Sequence, residues 1–207
     1  MTIANNTSKM DGSFMVSLAS TGGVFKNNQG CNFGGKGVKP VSIPSGPTHN
    51  ADAAVDLGPG NEFLVVSDND LEEGEGSISN GIAFTNVFGS GASELVTVKD
   101  NTIKGFPGNG IVAEADPLAV ATVGRCSIVG NEVKDNGKVG IYIDGLSVNE
   151  ANYVFDNEAE GNHVNDCEDD TKGGPFTLET FNIWFNNIGS MSSPRGLCTP
   201  GRKHDHD

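Results

Sequence analysis

The sequence predicts an all-β chain that folds as a right-handed, single-stranded parallel β-helix, a solenoid of about seven to eight coils. The first observation is an asparagine that returns in the same local frame, always after a short apolar or β-prone stretch. The second is a large apolar residue three positions before each of these asparagines. The third is that no helical period competes over a useful length. Such a repeat is typical of stacked architectures in which each unit contacts only its neighbours.

The repeated asparagines and their apolar partners define the frame of one coil. The asparagines are Asn6, Asn28, Asn69, Asn101, Asn131, Asn157 and Asn187. The residues three positions earlier are Ile3, Phe25, Val66, Val98, Ile128, Val154 and Trp184. The longest interval, between Asn28 and Asn69, is interpreted as two coils with one asparagine missing. Val55 and Leu57 would supply the skipped strand, and the coils would together occupy residues 1–188.

A further strand of most coils contains a glycine near its start. Its sequences are Asn80-Gly-Ile-Ala-Phe-Thr, Asn109-Gly-Ile-Val-Ala-Glu and Val139-Gly-Ile-Tyr-Ile-Asp. Glycine suits a bend between two sheets. Strand alternation then points three pairs of side chains inward: Ile82 and Phe84, Ile111 and Ala113, Ile141 and Ile143. Each coil is therefore predicted as strand, asparagine turn, short strand, glycine turn and strand.

Asparagine has two properties that favour it at the recurring turn. It adopts a left-handed backbone at little cost, and its side-chain amide can hydrogen-bond to the next coil. We therefore predict a ladder of stacked amides, formed by Asn69, Asn101, Asn131, Asn157 and Asn187.

A charged residue lies three positions after several of these asparagines. In register, Glu72 would face Lys104 across a strand spacing of about 4.8 Å. Lys134 would face Glu160 in the same way. Opposite charges at such positions favour correct stacking by about 0.2–1 kcal/mol each.

Composition excludes some classes of partner. The formal net charge is −14 at pH 7, which argues against nucleic acid because its phosphates would be repelled. No stretch approaches the roughly 20 apolar residues of a membrane span. The four cysteines lack the C-x-x-C spacing of zinc and redox sites. Cys167 and Cys198 bracket the last segment and are interpreted as a terminal disulfide, whereas Cys126 is expected to be a buried thiol.

The disulfide interpretation implies an oxidising compartment, so we expect the protein to be secreted or held at the cell surface. The chain starts inside a repeat without a signal peptide, and we expect it to be part of a longer protein. An uncapped first coil would expose strand edges, and self-association through that end is expected. Residues 199–207 are expected to form a disordered tail.

Several motifs near the C-terminus are more specific than the repeat. They are Asp166-Cys167, Thr171, Asn182-Ile-Trp184, Asn186-Asn187-Ile-Gly189 and Ser192-Ser-Pro-Arg-Gly-Leu-Cys198. This segment, 166–198, resembles the closing segment of secreted bacterial β-helix repeat proteins. The repeats before it resemble those of the pectate-lyase-like superfamily. The resemblance supports the disulfide and an extracellular location, but the superfamily includes lyases, hydrolases, epimerases, tailspikes and non-catalytic surface proteins, and fold alone does not choose among them.

A lyase of this fold needs a base, usually Lys or Arg, and often Ca²⁺ to neutralise the carboxylate of its substrate. The candidate catalytic residues are Lys104, Lys134 and Arg125. The candidate Ca²⁺ ligands are Asp68, Asp70 and Glu72. The sequence lacks the R-x-P-x-x-R and W-x-D-H segments seen in pectate lyases, and also the N-T-D, G-H-G and R-I-K motifs of polygalacturonases.

Glycan binding demands less chemistry than catalysis. A long sheet face with regularly spaced polar groups suits an extended glycan, and aromatic rings can stack on its sugars. The exposed aromatic candidates are Tyr142, Tyr153 and Phe106, although Tyr142 could instead cover the outside of its strand. We expect an extracellular, polysaccharide-associated domain that binds glycan. The alternatives are a polysaccharide lyase or uronate epimerase acting on acidic glycans, and a non-catalytic structural or adhesion module.

Overall fold

The computed structural model describes residues 2–9, 15–17, 21–31, 53–57, 60–73, 80–85, 91–114, 121–145 and 150–201. Their regular structure is almost entirely strand. In chain order the strands are β1 (Thr2–Ala4), β2 (Thr7–Lys9), β3 (Met15–Ser17), β4 (Thr21–Lys26), β5 (Gln29–Cys31), β6 (Ala53–Leu57), β7 (Glu62–Ser67), β8 (Asp70–Glu72), β9 (Asn80–Thr85), β10 (Gly91–Glu94), β11 (Thr97–Lys99), β12 (Thr102–Lys104), β13 (Ile111–Glu114), β14 (Ala121–Gly124), β15 (Ser127–Val129), β16 (Glu132–Lys134), β17 (Val139–Ile143), β18 (Tyr153–Phe155), β19 (Glu158–Glu160), β20 (Asn165–Asp169), β21 (Ile183–Phe185) and β22 (Ser192–Ser193). One 3₁₀ turn covers Thr177–Glu179. In these ranges no helix is long and apolar enough to cross a membrane.

The strands form three sheets, and the chain visits the first, second and third sheet in turn. The first sheet has the order β1-β4-β7-β11-β15-β18-β21, with β10 and β14 paired beside it. The second has the order β2-β5-β8-β12-β16-β19, and the third β3-β6-β9-β13-β17-β20-β22. Pairing between described strands is parallel throughout, as in β11 with β15, β12 with β16 and β13 with β17. The predicted all-β parallel solenoid is therefore confirmed.

The predicted number of coils needs correction. About three complete turns, in residues 91–114, 121–145 and 150–170, contain no gap and place a strand in every sheet. Earlier turns include residues outside the described ranges, and the last has only an isolated bridge at Ile188 in place of a second-sheet strand. We therefore describe about three complete turns rather than seven to eight.

The interval between Asn28 and Asn69 is one coil and not the predicted two. Asn28 donates its backbone N–H and its Nδ2 directly to Asn69 Oδ1, at 3.1 and 2.9 Å. No rung therefore lies between them. Val55 and Leu57 belong to β6, the third-sheet strand of this same coil, which pairs with β3 and β9. The coil is long because residues 32–52, which lie outside the described ranges, separate β5 from β6.

The apolar residues three positions before the asparagines stack into one inward column of the first sheet. Cα register joins Ile3, Phe25, Val66, Val98, Ile128, Val154 and Trp184 in that order. All are buried except Ile3, which packs partly against the core. The three predicted inward pairs of the third sheet are buried as well. Burying such side chains stabilises the fold by about 1.5–3 kcal/mol each.

The asparagine ladder runs through every predicted rung and includes Asn6 and Asn28. Each Nδ2 donates to the Oδ1 of the next asparagine, as from Asn101 to Asn131 at 3.0 Å and from Asn131 to Asn157 at 2.9 Å. Most also donate to a main-chain carbonyl of the preceding coil, as Asn131 does to Val98 O. Every ladder amide from Asn28 onward is buried, so these hydrogen bonds replace those it would make to water.

The left-handed residue of each turn is the one before the ladder asparagine, so the prediction of a left-handed asparagine was wrong by one position. The left-handed residues are Asn5, Asn27, Asp68, Asp100, Gly130, Asp156 and Asn186, with φ between 52° and 64°. Asparagine, aspartate and glycine enter this region more cheaply than other residues. The turn leaves the following asparagine pointing inward.

Two shorter amide ladders near the C-terminal end were not predicted. In one, Asn136 donates to Asn162 and Asn162 donates to Asp166 Oδ1. In the other, Asn152 donates to Asn182 and Asn182 donates to Asp169 Oδ2. Both end on a buried carboxylate. A carboxylate suits the last position because it accepts hydrogen bonds on both oxygens.

Space, rather than backbone freedom, explains the glycines at the start of the third-sheet strands. A Cβ at Gly81 would lie 2.3 Å from Ile103 Cγ2, and a Cβ at Gly110 would lie 2.2 Å from Val133 Cγ1. In each case the obstructing atom belongs to a buried side chain of the following coil. The bend therefore brings the backbone too close to the core for a side chain.

Three of the four cysteines are described with their side chains, and they behave as predicted. Cys167, in β20, is joined to Cys198 by the disulfide that closes the C-terminal end. Cys126 is a free, buried thiol. Burial raises the pKa of Cys126 to about 12, so it remains a thiol at neutral pH.

The expected disordered tail does not begin at Thr199. The N–H of Thr199 donates to Asn187 O at 3.0 Å, and Thr199 O accepts from the N–H of Gly189 at 3.0 Å. These bonds cover the end of the second sheet. Residues 202–207 of the expected tail lie outside the described ranges.

Candidate functional site

A cleft opens on the outer side of the third sheet, near the point where the chain enters its strands. Its volume is about 210 Å³, and it is lined by Asn80, Asn109, Lys138, Val139, Tyr142, Val164 and Glu168. These residues come from four consecutive coils, so the cleft extends along the axis of the solenoid. An extended polymer lying along that axis would meet successive coils about 4.8 Å apart.

Tyr142 supplies the aromatic surface of the cleft. It points outward from β17, is partly buried, and packs against a small apolar cluster on the outer face of the third sheet, formed by Ala53, Ala83 and Val112. Its hydroxyl donates a hydrogen bond to Asp170 Oδ2 at 3.1 Å. Burial, and then the negative charges of Asp144, Asp170 and Glu168, raise the pKa of Tyr142. The hydroxyl therefore stays protonated and its ring orientation is fixed by the next coil.

Two charged side chains of opposite sign line the cleft. Glu168 lies beside Tyr142 in strand register and accepts a hydrogen bond from Asn165 Nδ2 at 2.9 Å. Lys138 is exposed at the turn before β17, where its backbone N–H donates to Gly108 O at 2.9 Å. An ammonium group donates hydrogen bonds and a carboxylate accepts them. Together they can hold the hydroxyl groups of a sugar.

Buried amides support the base of the cleft. Asn80 Oδ1 accepts the backbone N–H of Asn109 at 2.8 Å, and Asn109 Oδ1 accepts the N–H of Val139 at 3.1 Å. These bonds connect three successive coils. The side chains of the cleft therefore stand on a backbone that is already ordered, which lowers the entropy cost of binding.

The structure places the three predicted aromatic contacts in three different environments. Tyr142 lies in the cleft, whereas Tyr153 is 42% exposed on the first sheet and shares no site with it. Phe106 is fully buried, so the prediction that it is an exposed sugar contact was wrong. Phe106 follows the left-handed Gly105 and turns inward, where its backbone N–H donates to Asn136 Oδ1.

Lys134 is held in ion pairs on the second sheet. Its Nζ lies 2.6 Å from Glu158 Oε1 and 2.9 Å from Glu132 Oε1. Hydrogen bonds to these two carboxylates raise the pKa of Lys134, which makes it a poor base. Backbone register does place Lys134 opposite Glu160, as predicted, but its ion pairs are made with Glu132 and Glu158.

The other two catalytic candidates do not join Lys134. Arg125 has a left-handed backbone in the turn between β14 and β15 of the first sheet and forms ion pairs with Glu94 and Glu150. Lys104 is exposed on β12, where its Cα partners are Glu72 and Lys134. The three candidates thus lie on two sheets and face no common cavity among the described residues.

The candidate Ca²⁺ ligands lie apart from the cleft. Asp68 occupies a left-handed turn position, and Asp70 and Glu72 point outward from β8. All three are exposed. Within the described ranges, no group of three or more His, Cys, Asp or Glu side chains is arranged to hold a metal ion.

Sequence reasoning did not identify Lys138, Glu168 and Asp170 as companions of Tyr142. The alternation of β20 indicates that Glu168 points outward, but only the register of β20 on β17 places it beside Tyr142. A stack of two rings was also missed. Phe155 and Phe185 lie at partner positions of β18 and β21, with centroids 4.8 Å apart and planes 4° apart.

No protein-family model matches the chain, and neither a curated protein nor a solved structure matches it. The structure itself therefore carries the assignment to the parallel β-solenoids.

Proposed function

We propose that the protein is an extracellular, polysaccharide-associated domain that binds an extended glycan in the cleft beside Tyr142. The observation that carries the proposal is the cleft itself, where one aromatic ring, a carboxylate and an ammonium group line a groove along the solenoid axis. The repeats quoted above support membership of the pectate-lyase-like superfamily as part of the same proposal, and the C-terminal motifs support a secreted β-helix repeat protein. The disulfide supports an extracellular location.

The chemistry of the cleft suits a sugar. A pyranose has an apolar face that can cover the ring of Tyr142, and hydroxyl groups that both donate and accept hydrogen bonds. Lys138 and Glu168 provide the complementary groups on the wall. Successive sugars of a polymer would meet successive coils. The proposed role is therefore binding, with no covalent step.

The two tyrosines of the chain provide a matched test. Binding of a panel of soluble polysaccharides is measured by titration calorimetry for the wild type, Tyr142→Ala and Tyr153→Ala. We expect Tyr142→Ala to weaken binding at least about tenfold, as for a central aromatic contact. Tyr153→Ala, on a different sheet, should leave it unchanged, and Tyr142→Phe should keep most of it.

Three results would contradict the proposal. Equal effects of the two alanine variants would remove the cleft from the binding site. The absence of binding to the whole panel would favour the structural or adhesion module. Growth of ultraviolet absorbance from an unsaturated product, followed with and without Ca²⁺, would show a lyase instead.

A further inference from the structure

We propose that the cleft selects uncharged glycans and rejects polymers of uronic acid; this inference rests on the proposed function. Glu168 lines the cleft, and Asp170 holds the tyrosine hydroxyl at 3.1 Å. Asp144 follows β17 as Asp170 follows β20. Among the described residues around Tyr142, these three carboxylates outnumber the single ammonium group, which belongs to Lys138.

Strand pairing between successive coils of the solenoid holds these carboxylates near Tyr142. The backbone N–H of Asp170 donates to Ile143 O, and the N–H of Asp144 donates to Ala113 O, both at 2.9 Å. The two aspartates therefore stack in adjacent coils at the end of the same outer face. Glu168 is the register partner of Tyr142. Negative charge is thus concentrated around Tyr142, with Glu168 in the lining of the cleft and the two aspartates beside the tyrosine, in a chain whose formal net charge is already −14.

The pKa of Tyr142 reflects this negative charge. After burial, the largest contributions to the raised pKa of Tyr142 come from Asp144 and Asp170, and Glu168 acts in the same direction. A group that disfavours a phenolate beside the ring also disfavours the carboxylate of a uronic acid bound there. A neutral sugar suffers no such repulsion and can use Lys138 as donor and Glu168 as acceptor. The cleft therefore discriminates by charge while keeping its hydrogen-bonding groups.

Matched ligand pairs test the inference. The first pair is an oligogalacturonate and its fully methyl-esterified form, and the second is a cello-oligosaccharide and its C6-oxidised form. Calorimetric titration at low ionic strength should give at least about tenfold tighter binding of the neutral member of a pair that binds. The preference should narrow in about 0.3 M salt, where charges farther apart than a few ångströms are screened.

Variants that remove one negative charge show which carboxylates cause the preference for neutral glycans. Glu168→Gln and Asp170→Asn should each narrow the preference severalfold by improving binding of the acidic member. Glu62→Gln, at the exposed first residue of β7 in the first sheet, is the matched control and should change neither affinity. Equal affinity for both members of a pair, or tighter binding of the acidic member, would overturn the inference and leave the proposed function standing. Binding to no member of either pair would contradict the proposed function, and the inference with it.

Discussion

At the scale of single residues, asparagine suits the corner of this solenoid because its side chain is a short copy of a peptide group. Its Nδ2 and Oδ1 continue the pattern of donor and acceptor from coil to coil, as in Asn101, Asn131 and Asn157. An aspartate could accept but not donate, and it is found only at the ends of the shorter ladders, at Asp166 and Asp169. Residue type therefore follows position in the hydrogen-bond chain.

Removing one side-chain amide from the ladder should destabilise the fold strongly. Asn131→Ala removes the acceptor of the N–H and Nδ2 of Asn101, and takes the Nδ2 donor from Val98 O and Asn157 Oδ1. Asn157 Oδ1 keeps only the backbone N–H of residue 131 as a donor from that coil. We expect a loss of about 2–4 kcal/mol in the free energy of unfolding, because buried polar groups remain unpaired. Urea unfolding followed by circular dichroism measures it.

The control for Asn131 is Asn165→Ala. Its side chain is only partly buried and bonds to Glu168 near the surface. It should cost less than about 1 kcal/mol, the value of an ordinary hydrogen bond. Similar losses in the two variants would argue against a special role of the ladder.

A second prediction follows from the left-handed residues that precede the ladder asparagines. At Gly130 φ is 64°, and an added Cβ would lie 2.6 Å from Asp100 Oδ1. Gly130→Ala should therefore destabilise by about 1–2 kcal/mol. Asp156→Gly, at the equivalent position of the next coil, should change stability by less than about 0.5 kcal/mol because glycine accepts this backbone freely. Thermal unfolding of both variants tests the pair, and the reverse order of stability would contradict it.

Single residues also show where sequence reasoning succeeds and fails. Ile128 and Asn131 were placed correctly because their frame repeats in every coil. Phe106 was misplaced because it lies between strands, where no repeat gives its direction; the left-handed Gly105 before it turns its side chain inward. Glycines such as Gly81 were explained by backbone freedom, although the reason is the nearby Ile103, a contact between coils that local pattern cannot reveal.

At the scale of elements, neighbouring second-sheet strands would place like charges in one column. Glu132 in β16 is the register partner of Glu158 in β19. Lys134 lies between them and forms an ion pair with each carboxylate. It thereby converts a repulsive pair into an attractive cluster that favours this register.

Lys134→Met should lower stability by about 0.5–1 kcal/mol at low salt, and by less at high salt. Since the pKa of Lys134 is raised on folding, its contribution is complete below the unfolded value of about 10.4. It is lost only as pH rises above that value. The stability difference between wild type and variant should therefore be constant from pH 7 to 10 in urea titrations. A difference that disappears by pH 9 would contradict the ion-pair account.

The coil between Asn28 and Asn69 shows that the spacing of the asparagines alone does not give the number of coils. The interval from Asn28 to Asn69 fits both a missing rung and an inserted loop, and spacing alone does not distinguish them. Hydrogen bonds do, because Asn28 contacts Asn69 directly. The cleft was difficult to predict for the same reason, since its lining residues are some 30 positions apart and meet only through register.

At the scale of the whole molecule, the C-terminal end is closed by several contacts. Residues Thr177–Glu179 fold back on β21, where Thr177 Oγ1 accepts the N–H of Trp184 and donates to Trp184 O. Thr199 covers the second sheet and β22 pairs with β20 in the third. Strand edges at this end are thus bonded within the chain, which disfavours edge-to-edge association there.

The disulfide holds this closing segment. Cys198→Ser should lower the free energy of unfolding by about 2–4 kcal/mol, since the bridge spans 31 residues. Trp184, the single tryptophan of the chain, bonds through Nε1 to Asp169 Oδ2 at 2.7 Å, so its fluorescence reports on the same region. Denaturant titration of the reduced wild type should match the variant, and an unchanged midpoint in both would contradict a stabilising role of the bridge.

The central claim is that residues far apart in sequence stack in register through their side-chain amides, and nuclear magnetic resonance of ¹⁵N-labelled protein tests it most directly. The account predicts nuclear Overhauser contacts between the side-chain amide protons of Asn101 and Asn131, and of Asn131 and Asn157, with those protons protected from exchange for hours. Amides that exchange within minutes, or that show contacts only to residues nearby in sequence, would contradict it.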